Sequence, residues 1–139
     1  MPIGGGAATQ LLDGFADRPA VSPDGRQIAA YYQAKPEAPW GIAVFPITGG
    51  APTRTFPTYG AVAFETVRWT ADGKALLHNA AANDRANIWL QPLDGSPARQ
   101  ITHFVDQNIM GFDRSVDGKR LIIARGILNR DAMLIRKFQ

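Results

Sequence analysis

A short pattern recurs three times along the chain, and it leaves few folds open. Val21-Ser22-Pro23-Asp24-Gly25-Arg26-Gln27-Ile28-Ala29-Ala30 returns as Trp69-Thr70-Ala71-Asp72-Gly73-Lys74-Ala75-Leu76-Leu77 and again as Arg114-Ser115-Val116-Asp117-Gly118-Lys119-Arg120-Leu121-Ile122-Ile123. A second element follows the first two copies, Phe45-Pro46-Ile47-Thr48-Gly49-Gly50-Ala51-Pro52-Thr53-Arg54 and Gln91-Pro92-Leu93-Asp94-Gly95-Ser96-Pro97-Ala98-Arg99, and a version of it opens the chain as Met1-Pro2-Ile3-Gly4-Gly5-Gly6-Ala7-Ala8-Thr9-Gln10. The Asp-Gly pairs stand 48 and then 45 residues apart. Self-similarity at that period means that one supersecondary unit is stacked on copies of itself.

The unit is made of strands. Residues 27–32, 75–78 and 120–124 are apolar runs that begin directly after Asp-Gly, the strongest short-range hairpin signal. The cause is steric, since a tight turn needs positive φ, which Gly adopts freely and Asp tolerates better than most residues. Residues 41–45, 87–91 and 132–135 read as next strands. Gly49-Gly50 and Asp94-Gly95 then turn the chain into short last strands at 53–56 and 99–102. Longer polar connections are expected at 33–39, 80–85 and 126–130. No long window keeps a helical period, ten prolines and fourteen glycines interrupt any candidate, and the short helix candidate at 79–84 cannot stand alone. The fold class is all-β, and a period of this length with four strands per repeat suits a propeller blade.

Composition narrows the classes of function. The 139 residues are 45% hydrophobic and 19% charged with a formal net charge of +3, as in ordinary globular domains. No apolar run approaches the roughly 20 residues of a membrane-spanning helix, and no basic segment followed by an apolar core marks a signal peptide. The compartment stays open. With no cysteine, disulfides, thiolate nucleophiles and cysteine zinc sites drop out. Residues 110–139 hold seven Lys/Arg against three Asp, but the basic and aromatic interleaving of a nucleic-acid module is missing, so nucleic acid is not an expected partner.

Catalytic and metal motifs are equally thin. Ser22, Ser96 and Ser115 sit in turns outside any Gly-x-Ser-x-Gly, and the two histidines, His78 and His103, have no second His or carboxylate at metal-ligand spacing. Turn formation accounts for Asp24, Asp72, Asp94 and Asp117 without calcium. Gly4-Gly5-Gly6 is followed by no Lys-Ser/Thr and so is no phosphate loop. No enzyme activity, metal or cofactor is expected.

The segment Pro19-Ala20-Val21-Ser22-Pro23-Asp24-Gly25-Arg26-Gln27-Ile28-Ala29 resembles the opening strands of the WD40-like (PD40) repeat of TolB-type β-propellers. Asn87-Ile88-Trp89-Leu90-Gln91-Pro92-Leu93-Asp94-Gly95 with Ala98-Arg99-Gln100-Ile101-Thr102 resembles its third and fourth strands. The likeness spans essentially the whole chain. It is nearest to the C-terminal, sensor-like propellers of bacterial Ser/Thr kinases and winged-helix regulators, whose last blade also ends in an apolar strand and Phe, as Leu134-Ile135-Arg136-Lys137-Phe138 does. The same repeat serves periplasmic translocation proteins and the non-catalytic halves of prolyl peptidases. One departure stands out: the position of Trp69 holds Arg114 in the third copy, which reads either as a residue at a wet edge or as a charge lining a channel or binding an anion.

Counting strands gives a division into residues 1–14, one strand; 15–57, the first blade; 58–103, the second; and 104–139, a third that lacks its outer strand. Repeat phase makes Ala8, Thr9, Gln10, Leu11 and Leu12 the missing strand, to be placed beside the segment Met133, Leu134 and Ile135. Propellers have four to eight blades, so three cannot close on themselves. Two chains related by a two-fold axis, each donating its first strand to the other, make a six-bladed ring. The expected protein is a homodimer: a non-catalytic binding or scaffolding module for a protein, peptide or small ligand. The alternatives are a purely structural or engineered half-propeller, and the accessory propeller of a prolyl-peptidase-like enzyme. Recognition is expected on the loops and channel, at Phe15, Trp40, Tyr59, Phe64, Phe104, Asp106, Asn108, Arg114 and Arg130, although several of these rings also suit the ends of blade cores.

Overall fold

The computed structural model describes residues 4–58, 66–82 and 85–127. Each repeat is organised by its turn. In all three, the Gly amide donates to the carbonyl of the residue three before it: Gly25 to Ser22 at 2.9 Å, Gly73 to Thr70 at 3.0 Å and Gly118 to Ser115 at 2.9 Å. These glycines have φ of 71°, 68° and 70°, while the preceding Asp residues do not have positive φ. The aspartate's role is as an acceptor. Its Oδ1 takes the Ser22, Thr70 or Ser115 hydroxyl and also the amide of Arg26, Lys74 or Lys119, the latter at 3.1 Å each time. The same hydroxyl accepts the amide of Gln27, Ala75 or Arg120, so one Ser/Thr-x-Asp-Gly unit satisfies the whole connection between two strands.

Ten strands result. The first sheet has the order β1 (Phe15–Val21), β2 (Gln27–Gln33), β3 (Gly41–Pro46), β4 (Arg54–Pro57), and the second β5 (Val67–Trp69), β6 (Ala75–Ala82), β7 (Arg85–Pro92), β8 (Arg99–Gln100). The third repeat supplies a pair, β9 (Asn108–Arg114) and β10 (Leu121–Gly126). All neighbours are antiparallel. Among the described residues there is no helix, hence none long and apolar enough to cross a membrane.

Alternation along the strands gives the first and second sheets two buried faces each, and β9 and β10 one. Ala29, Tyr31, Ile42 and Val44 of the first sheet pack on Val67, Trp69 and Leu76 of the second. Leu77, Ala86 and Ile88, on the second sheet, pack on Ile109 and Phe112 of β9, with Leu121 and Ile123 of β10 beside them. The repeat register is therefore also a packing register: Leu76 and Leu121 face the preceding sheet, and Ala29 and Leu77 face the following one. At the position of Ala29 and Leu77, 0% and 5% exposed, the third repeat has Ile122, 69% exposed.

Several expectations from the sequence change. Residues 80–85 are not a long connection: β6 and β7 pair continuously to Ala82↔Arg85. Asn79, expected beyond the end of a strand, lies within β6, and both it and Asn87 are buried, because their amides bond to backbone. Asn79 Oδ1 accepts the Thr66 amide at 2.7 Å, and Asn87 Oδ1 accepts the Phe104 amide at 2.7 Å and the Thr102 hydroxyl at 3.0 Å. That last contact also shortens β8 to two residues, since Thr102 Oγ1 takes the Ile88 amide at 2.8 Å in place of a ladder carbonyl. Phe15 starts β1 instead of lying in a loop, and an irregularity between Asp17 and Ala20, with Arg18 at φ 55°, lets the strand begin there. In the single chain residues 8–12 form no strand. The Leu11 carbonyl accepts the Gly50 amide at 2.9 Å, which holds this segment against the turn after β3. A fourth strand needs an open sheet edge, and the segment Met133, Leu134 and Ile135 lies outside the described residues, with the strand expected at 132–135.

Candidate functional site

At the turn end of the sheets, the repeats bring equivalent residues to one place. A depression of about 450 Å³ is lined by Ala20, Arg68 and Asp113, by Val21, Trp69 and Arg114, and by Pro23, Ala71 and Val116, each trio drawn from one register position of the three repeats. The turns stack closely here. A Cβ on Gly118 would come within 2.8 Å of Ala71 Cβ, so the glycine serves both the turn's positive φ and the approach of the neighbouring repeat.

Polar contacts cross from repeat to repeat within this depression. Trp69 Nε1 donates to the Ala20 carbonyl at 2.9 Å, and Arg114 Nε donates to the Trp69 carbonyl at 2.6 Å. Indole and guanidinium thus perform one task, a side-chain N–H reaching back to the preceding inner strand. Arg114 also turns Nη1 onto its own Ser115 and Val116 carbonyls at 3.2 and 3.4 Å. Arg68 Nε and Asp113 Oδ1, 3.4 Å apart, the first half-buried and the second exposed, form an ion pair across the same junction. A surface pair of this kind is worth less than about 1 kcal/mol, so it marks charge at the depression more than it holds the sheets together.

A second constellation sits at the opposite end of β9 and β10. The register of β10 slips between Ala124 and Arg125, and a bulge of this kind re-aims the side chain that follows it. The Arg125 guanidinium lies 3.8 Å from the Phe104 ring centroid, and its Nη2 donates to Asp106 Oδ1 at 2.6 Å and to the Asp106 carbonyl. Its Nε has no hydrogen-bond partner. Gln107 next to it has φ 57°, the left-handed region that a non-glycine residue enters only at a cost. Val105 and Ile127 stand exposed on either side. Asn87 anchors the cluster from below through its bonds to both Phe104 backbone groups, the Nδ2 bond to the carbonyl being 3.3 Å.

Of the residues singled out in the sequence, Phe104 and Asp106 come together in this cluster, while Asn108 opens β9 and pairs with Gly126. Arg125 belongs with them and was not singled out, because the bulge that aims it has no sequence signal. Trp40 is half-exposed beside an apolar groove of about 380 Å³ with Tyr32, Pro39, Phe56 and Pro57, and its carbonyl accepts the Thr58 hydroxyl at 3.1 Å. Phe15 is exposed on β1. Arg114 lies at the other end of the sheets in the repeat junction. Tyr59, Phe64 and Arg130 lie outside the described residues. Hydrogen bonds from Ser22, Thr70 and Ser115 hold the Asp24, Asp72 and Asp117 carboxyls below the ordinary range, and the Ser96 amide does the same for Asp94. His78 is buried on β6, its Nδ1 without a partner, and burial lowers its pKa to about 4.

No protein-family model matches the chain. Among curated proteins it is 31% identical over 107 residues to Tricorn protease homolog 1 of Streptomyces coelicolor, a match covering 73% of this chain and 10% of that protein. Among solved structures, a protein described as TolB from Agrobacterium tumefaciens superposes with a TM-score of 0.63 at 22% identity over 81% of this chain and 40% of that one. TolB from Acinetobacter baumannii gives 0.62 at 19% identity, covering 84% and 27%. The β-propeller domain of the Trilobed protease from Pyrococcus furiosus, described as having an open velcro topology, gives 0.57 at 18%, covering 80% and 34%. The chain spans a tenth of the curated relative and well under half of each structure. With its antiparallel sheets of four strands packed face to face, the chain has the fold of TolB-like β-propellers.

Proposed function

We propose that the chain is a non-catalytic β-propeller module that binds a protein or peptide on its loop end and is completed to a six-bladed ring by a second copy of itself. The observation that carries the ring is the far face of β9 and β10, where Ile122 is 69% exposed at a register position that the two earlier repeats bury. A bare sheet face in a propeller is a place for another blade. Light scattering on a size-exclusion column tests this: a mass near twice 15.1 kDa is expected, and a folded monomer at every concentration would overturn the ring.

The binding reading rests on the Phe104, Asp106 and Arg125 cluster. Arg and aromatic side chains held rigid between exposed apolar neighbours are what interface hot spots are made of. Peptides selected from a random library on the immobilised protein are expected to bind Phe104→Ala and Arg125→Ala at least about tenfold more weakly, since hot-spot truncations cost about 1.4 kcal/mol or more. Peptides that bind both variants as they bind the parent protein put recognition elsewhere. The likeness of the C-terminal residues to sensor propellers of bacterial Ser/Thr kinases and winged-helix regulators supports a regulatory setting. The identity to a Tricorn protease homolog supports a second reading, an accessory propeller that delivers peptides to a catalytic domain on the same protein; peptides with no sequence preference would favour it.

A further inference from the structure

Aspartate followed by glycine is open to attack on its own side chain. The next amide nitrogen can close on the carboxyl carbon, and a glycine, having no Cβ, leaves that nitrogen unhindered. The chain has five such pairs, beginning at Asp13, Asp24, Asp72, Asp94 and Asp117, and the fold sorts them by what the glycine amide does. In the three turns of the repeat it is engaged: Gly25, Gly73 and Gly118 donate to the Ser22, Thr70 and Ser115 carbonyls at 2.9, 3.0 and 2.9 Å. The carboxylate is fixed as well, its Oδ1 accepting the Ser22, Thr70 or Ser115 hydroxyl and the amide two residues on. Closing the ring there loses the glycine's bond outright, because the nitrogen gives up its proton, and pulls the carboxylate from its two donors. Gly14 and Gly95 are different: among the described residues neither amide has a hydrogen-bond partner. Asp13 Oδ1 accepts the Gln10 Nε2 group at 3.3 Å and Asp94 Oδ1 accepts the Ser96 amide at 2.9 Å, and both pairs are exposed.

We propose that Asp13 and Asp94 are the sites at which the folded protein converts to isoaspartate, and that the Ser/Thr-x-Asp-Gly turns protect Asp24, Asp72 and Asp117 from the same chemistry. The Gly14 or Gly95 nitrogen bonds to the aspartate Cγ, and one carboxylate oxygen leaves as water, taking the amide proton and a proton from solvent. The product is a five-membered succinimide. Water then adds to one of its two carbonyls. Addition at Cγ breaks the new C–N bond and restores aspartate, whereas addition at the backbone carbonyl breaks the original peptide bond and leaves the chain running through Cγ, with the α-carboxyl free. No co-reactant other than water is needed. The rerouted chain is one carbon longer. Asp13 stands two residues before β1, and Asp94 lies in the connection from β7 to β8. β8 has two residues, paired with Trp89 and Leu90, so the change at Asp94 acts on the outer edge of the second sheet.

Ageing the whole folded chain at neutral pH in heavy-oxygen water tests this, because either opening of the succinimide leaves one solvent oxygen at the reacted residue. Tandem mass spectrometry of the digested protein locates the label, and electron-transfer fragmentation tells isoaspartate from aspartate. Asp13 and Asp94 are expected to take up label at least about fivefold faster than Asp24, Asp72 and Asp117, the factor set by the one glycine hydrogen bond, about 1 kcal/mol, that ring closure loses in the turns. The same chain unfolded in urea is expected to label all five at comparable rates, since every pair then has a free glycine amide. Equal rates at the five sites in the folded protein would overturn the proposal, as would no label at Asp13 and Asp94. The same separation in urea would overturn it too, by assigning the difference to neighbouring residues and not to the fold.

Discussion

His78 sits in an environment far from what its type prefers. It occupies the register position of Ala30 and Ile123, is 1% exposed, and burial holds its pKa at about 4 against an ordinary 6.5. The unfolded chain takes up a proton near pH 6.5 while the folded one refuses it until about pH 4, so stability is full above 6.5 and falls as the pH drops between those values. The loss reaches about 3 kcal/mol at the acid end of that window. Replacing His78 with Leu, which suits the apolar position, should flatten urea unfolding free energies between pH 7 and pH 4.5; an unchanged slope in that variant would assign the acid sensitivity to other groups. The turn aspartates act in a lower window. With their carboxyls held below 3.8 by Ser and Thr hydroxyls, the stability they add is present above that pH and is lost as the pH falls through their folded values.

At the scale of elements, the strands that follow the turns were legible in the sequence and the ends of the sheets were not. The Ser/Thr-x-Asp-Gly turn closes within six residues, from Ser22 to Gln27 and its two counterparts, so local chemistry alone announces it. Asn87 is the opposite case. Its strand was legible, but its partners, Thr102 and Phe104, lie 15 and 17 residues away, and nothing near Asn87 announces those bonds. Removing it strands the Phe104 amide and carbonyl in a half-buried site. Asn87→Ala is therefore expected to cost about 2 kcal/mol in urea unfolding and to weaken peptide binding as well, because Phe104 supports Arg125. A loss below about 0.5 kcal/mol, the size of an ordinary surface change, would show that water replaces the amide. Arg125 was invisible for a related reason: a one-residue slip in the β9 and β10 register decides where it points.

For the whole molecule, the period of the repeat and its all-β content were settled by the sequence, because both follow from bonds among near neighbours and from alternation along each strand. Tertiary structure decided which face of each repeat is covered, and by what. It showed that Arg114 takes over the clamp that Trp69 provides one repeat earlier, a contact between residues 45 apart. It also placed residues 8–12 in the single chain, with Leu11 bonded to Gly50, where repeat phase had pointed only to a missing strand. The physical reason for this division is range. A turn or a strand is selected by energies within a few residues, whereas the partner of an exposed face and the aim of a bulged arginine depend on surfaces that meet only after the chain has folded.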